Sequence, residues 1–72
     1  MSKEERIQDL KDDIILSVYK TEKIKKLDEL SKLAPESIKA IKEIRDNAVD
    51  DQEFQDYCDK ILNELAQWYP NS

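Results

Sequence analysis

The chain predicts an all-α fold, a small compact bundle of four (or three) helices with short connections, and three observations carry that prediction. Its 72 residues include no glycine, which argues against tight hairpins and against any backbone site that needs a positive φ. Apolar residues recur at steps of three and four along most of the chain, which is the period of a helix with one buried face. The two prolines, Pro35 and Pro70, fall between or after these periodic segments. With 40% charged residues and a mean hydropathy of -0.82, composition alone would fit disorder; the regular placing of Ile and Leu decides for folding. A chain of this length holds one domain, residues 1–72, with a modest core.

Ser2 and Glu5 make an S-x-x-E capping box, so the first helix is expected from Lys3. Its stripe is Ile7, Leu10, Ile14 and Val18, widened by Ile15, Leu16 and Tyr19. Carried forward, that phase would place Thr21 and Asp28 on the buried face, whereas Ile24, Leu27, Leu30 and Leu33 demand another. Either the helix breaks at Lys20-Thr21 with Thr21 as N-cap, or it continues and its buried face rotates. The break is the preferred reading, and it makes the bundle one of four helices.

The second run spans Glu22 to Leu33. Pro35 then marks a boundary, because it disfavours helical geometry at Ala34 yet suits the first turn of a new helix. A third helix is expected from Pro35 to Asn47, with Ile38, Ile41, Ile44, Arg45 and Ala48 on or beside one face. Asn47 to Asp50 reads as a turn in which Asn47 takes the left-handed conformation. The last helix, Asp50 to Tyr69, places Phe54, Cys58, Ile61, Leu65 and Trp68 on one stripe. Asp50 with Glu53 fits a second capping box, and Pro70 ends the run. Connections of two to four residues favour antiparallel neighbours.

The residue inventory pushes down enzyme chemistry. There is no histidine, the usual proton shuttle and transition-metal ligand. The single cysteine, Cys58, lies on an apolar stripe where it reads as a small buried hydrophobe. The pairs Asp12-Asp13 and Asp50-Asp51 are adjacent in sequence and so point in different directions on a helix. Asp50, Asp51, Glu53 and Asp56 gather oxygen ligands near one helix start, but without EF-hand spacing or its glycine. No metal or other cofactor is expected.

Charge is distributed unevenly. Residues 1–33 carry eight basic and eight acidic groups and residues 34–49 carry three of each, so the net charge of -5 resides in residues 50–72. There Asp50, Asp51, Glu53, Asp56, Asp59 and Glu64 face Lys60 alone. Such a surface repels phosphate backbones, so no direct nucleic-acid binding is expected; it reads either as a solvated face that aids solubility or as a docking surface for a basic protein. Lys20, Lys23, Lys25 and Lys26 form the opposite patch, interrupted by Glu22 and Asp28, and are free to pair with the acidic last helix. No apolar run reaches the ~20 residues that span a bilayer, and MSKEER lacks the apolar core of a signal peptide. With one cysteine and no disulfide framework, a cytoplasmic setting away from membranes is the expectation.

The leading expectation is therefore a non-catalytic protein–protein interaction module, as inhibitor, adaptor, immunity-type or accessory protein. It would bind another protein through an acidic, aromatic-ended last helix, with Asp51, Asp56, Asp59, Tyr57 and Tyr69 as the binding residues. Trp68 is expected to cap the core, leaving Tyr69 as the exposed anchor, with Tyr57 and Tyr19 as further candidates. A self-associating structural oligomer is the first alternative. A DNA mimic that inhibits a nucleic-acid-binding protein is the second. Small acidic bundles of this size recur among bacterial and phage regulatory proteins, an analogy of size and class rather than of motif.

Overall fold

A computed structural model of the chain describes residues 2–71. Four helices account for most of them: α1 (Lys3–Leu16), α2 (Lys20–Ser31), α3 (Ile38–Asn47) and α4 (Gln52–Trp68), with no strand among the described residues. The first N-cap is the expected one, the Ser2 hydroxyl accepting from the Glu5 N–H at 3.2 Å. Ile7, Leu10 and Ile14 are buried, but α1 ends before the stripe reaches Val18.

The break between the first two helices exists, three residues earlier than expected. Ser17 and Tyr19 adopt extended backbone, and the Ser17 hydroxyl both donates to the Tyr19 carbonyl and accepts from the Tyr19 N–H, each at 3.3 Å. This local side-chain bonding competes with the helix, and β-branched Val18 fits the extended conformation that results. Two expectations are corrected by it. Thr21 lies inside the first turn of α2 and is not the N-cap, and Val18 is 84% exposed rather than part of the core.

The chain between α2 and α3 is a run of turns, residues 32–37. Here Pro35 lies in the turn, and α3 begins at Ile38, not at Pro35. The reason is Ser37, which is fully buried and donates its hydroxyl to the Leu30 carbonyl at 2.5 Å. That bond ties the end of α2 to the start of α3 and satisfies the one polar side chain that is buried among the described residues. At the next corner Asn47 does not turn left-handed: no described residue has positive φ, and the Asn47 amide donates back to the Glu43 carbonyl at 3.1 Å. Asp51, not Asp50, caps α4, its carboxylate accepting from the Phe54 N–H at 3.2 Å. The cap is one residue later than the D-x-x-E pattern suggests because the Asp51 N–H is engaged by the Ala48 carbonyl at 3.1 Å, closing a turn that includes Asp50.

Ion pairs between helices reveal their directions. Lys3–Glu36 at 2.8 Å and Lys11–Glu43 at 2.6 Å run α1 parallel to α3. Lys20–Glu53 at 2.7 Å sets the starts of α2 and α4 side by side. With only short connections between them, successive helices are therefore antiparallel, and Asp13–Lys26 and Arg45–Asp59 join the members of the first and last pairs. Two hairpins therefore lie side by side: α1 packs on α2 and α3, α4 packs on the same two, α2 meets α3 across the short diagonal, and α1 does not touch α4. The result is flattened, 30 × 28 × 17 Å. One apolar core joins all four helices, with Ile14, Leu27, Leu30, Ile41, Ile44, Phe54 and Cys58 at its centre.

Candidate protein-binding surface

The bundle has two ends of different character. At one, the end of α1, the start of α2, the end of α3 and the start of α4 meet; this is the Val18 end. The other, the Trp68 end, holds the start of α1 and the finish of α4. The acidic cluster and the terminal aromatics of the last helix belong to opposite ends. Asp51 and Tyr69 lie 18 residues apart, about 27 Å at 1.5 Å per residue. A single compact site built from all five expected residues is thus not what the fold provides.

The carboxylates of α4 are also less free than their number suggests. Asp51 caps the helix and lies 3.5 Å from Lys20; acceptance from the Phe54 N–H, then the nearby ammonium, holds its carboxyl below the usual range. Glu53 takes the same lysine, whose own pKa is raised chiefly by that hydrogen bond. Asp59 receives Arg45 at 3.1 Å. Lys20 thus does pair with the last helix, as the lysine patch suggested, whereas Lys26 pairs with Asp13 and Lys23 sits 5.5 Å from the centroid of the Phe54 ring. Among the described residues, Asp50, Asp56 and Glu64 meet no cation; Asp56 accepts only from the Gln52 amide at 2.9 Å.

The aromatics are sorted differently from the expectation. Trp68 does not cap the core: it is 77% exposed, against 37% for Tyr69, while Tyr57 is half-buried against the core. Helix length explains this. With Lys20 beside Glu53, the last residue of α2, Ser31, falls level with about Glu64, so the final turn of α4 overhangs its neighbour. Cys58 is fully buried, and desolvation, with a smaller contribution from Asp59, pushes its thiol up to about 11.

Comparison with protein-family models, with curated proteins and with solved structures finds no match to the chain. Its surface chemistry is therefore what bears on function. Among the described residues, five of the seven exposed large apolar side chains, Ile15, Leu16, Val18, Tyr19 and Val49, sit at the Val18 end. Beside them a cleft of about 90 Å³ opens where all four helices approach, lined by Ile15, Ile44, Ala48 and Phe54 together with Lys23 of α2, at the gap between α1 and α4. Around this end residues 11–26 and 43–56 carry nine acidic and six basic groups. Leu16 and Val18 are absent from the expected set because the helical stripe, run past its true end, assigns them to the core or its margin, while Tyr19 stood only as a further aromatic candidate. The short Ser-Val-Tyr segment, with its side chain able to bond its own backbone, was the available signal. Among the described residues no three carboxylate or thiol groups converge to hold a metal ion, and no helix is long and apolar enough to cross a membrane.

Proposed function

We propose that the chain is a non-catalytic binding module for a basic protein, working in the cytosol as an inhibitor, adaptor or accessory factor, and that it receives its partner at the Val18 end. The observation that carries this reading is the concentration of Ile15, Leu16, Val18, Tyr19 and Val49 on the surface of the end where α4 begins, the end that also holds Asp50 and Asp56, carboxylates that meet no cation among the described residues. Apolar anchors at an end that also carries free acids suit a cationic amphipathic segment, whose apolar face covers the patch while its Lys and Arg reach the carboxylates. A decoy of nucleic acid would need an unbroken row of free carboxylates, and Lys20 and Arg45 occupy three of the six in the last segment. That reading is correspondingly less supported.

The test uses an amphipathic Lys/Leu peptide helix as a defined probe, titrated by calorimetry. Expected is saturable binding that weakens with added salt and falls about tenfold or more in the Leu16→Ser/Tyr19→Ser variant and in Asp50→Lys/Asp56→Lys. Asp51 and Asp59 are left intact because their ion pairs are internal. Equal affinity of all these proteins for the peptide would sink the proposal.

A further inference from the structure

The other two exposed large apolar residues lie at the Trp68 end, where the finish of α4 runs past the end of α2, and their setting points to a different occupant. Beside the buried stripe of α4, a second seam of Tyr57, Ile61, Glu64 and Trp68 recurs at steps of four, three and four. It forms one wall of a groove of about 190 Å³ between α4 and the end of α2. Spacing of this kind averages about 3.7 residues, close to the repeat of a straight helix, so the four positions stay on one face that a second helix can cover. The groove stays open because α2 stops at Ser31 while α4 continues to Trp68.

We infer that this groove is filled by α4 of a second copy of the chain, running antiparallel about a two-fold axis that crosses the seam midway between Tyr57 and Trp68, at the height of residues 62 and 63. An interface on such an axis must be complementary to itself, and this seam is. The axis sets Tyr57 opposite the partner's Trp68, so each copy supplies one end of two aromatic pairs. It also brings Lys60 within reach of the partner's Glu64, twice. Asp28, the remaining charge lining the groove, already has Lys32 at 4.0 Å. Nothing in the lining is left to repel a second copy. At the Val18 end, by contrast, a two-fold contact would set one excess of acids against another. A stable dimer buries about 800 Å² per partner, roughly one sixth of the 5025 Å² that one chain exposes. The exposed indole is the anchor that such an interface is built on. This dimer is independent of the partner-binding reading, since it uses the other end of the molecule.

Sedimentation velocity over a concentration series, with the emission of the single tryptophan recorded in parallel, tests the inference. Expected is a reversible dimer whose formation shifts Trp68 emission to shorter wavelength. Lys60→Glu and Glu64→Lys, both at exposed positions and therefore expected to keep the native circular dichroism, should each weaken dimerisation about tenfold or more by placing like charges together. An equimolar mixture of the two variants should dimerise again, because each mixed pair restores both ion pairs. Trp68→Ala should be monomeric. A wild-type monomer at high micromolar concentration overturns the inference. So does a dimer that ignores both charge reversals, or a mixture that fails to recover.

Discussion

At the scale of single residues, the core is chemically quiet. Cys58 is enclosed, and its thiol is raised to about 11 by desolvation, so thiolate is scarce at pH 8 and the sulfur is sterically shielded. Alkylation by iodoacetamide in native buffer should be slower by orders of magnitude than in urea; equal rates would mean that α4 opens readily. Asp51 makes a second prediction. Folding lowers its pKa, mainly through the Phe54 N–H, so near pH 3–4 the folded chain binds fewer protons than the unfolded one. Its contribution is complete above the unfolded value of about 4 and is lost as pH falls through the folded value. Glu36 and Glu43, lowered first by their hydrogen bonds from Lys3 and Lys11, act in the same direction. The melting temperature should decline on acidification below about pH 5, and in Asp51→Asn the decline should be shallower.

At the scale of elements, the number of helices, the buried stripe of α4 through Leu65 and the cap at Ser2 were legible from spacing alone. The ends of helices were not, because each depends on a local hydrogen bond that periodicity does not register: Ser17 on Tyr19, Ser37 on Leu30, Asp51 on Phe54. The first of these also hid the candidate site, since a stripe run one turn too far sends Val18 inward. The position of that break is testable. Ile14→Ala, at a buried position, should cost about 2–5 kcal/mol. Val18→Asp should change stability by no more than about 0.5 kcal/mol, as surface substitutions do. A large loss in the Val18 variant would mean that α1 continues past Leu16. The exposure of Trp68 escaped for a related reason: spacing says which face a residue occupies, but not whether the neighbouring helix is long enough to cover it.

At the scale of the whole molecule, one core shared by four helices predicts a single cooperative unfolding transition. Trp68 should report it poorly. Its indole is 77% exposed in the folded chain, so under dilute conditions its emission should move little on urea unfolding while the helical circular dichroism is lost. A large red shift would place the ring in a buried site. The rhombic cross-section has a further consequence for dynamics. Because α2 and α3 share the short diagonal and each also supports both outer helices, loosening α1 leaves α4 supported, and the reverse holds. Backbone amides in the middle of α2 and α3 should be the last to trade their protons for deuterons, and the two flanks should peel away on separate schedules.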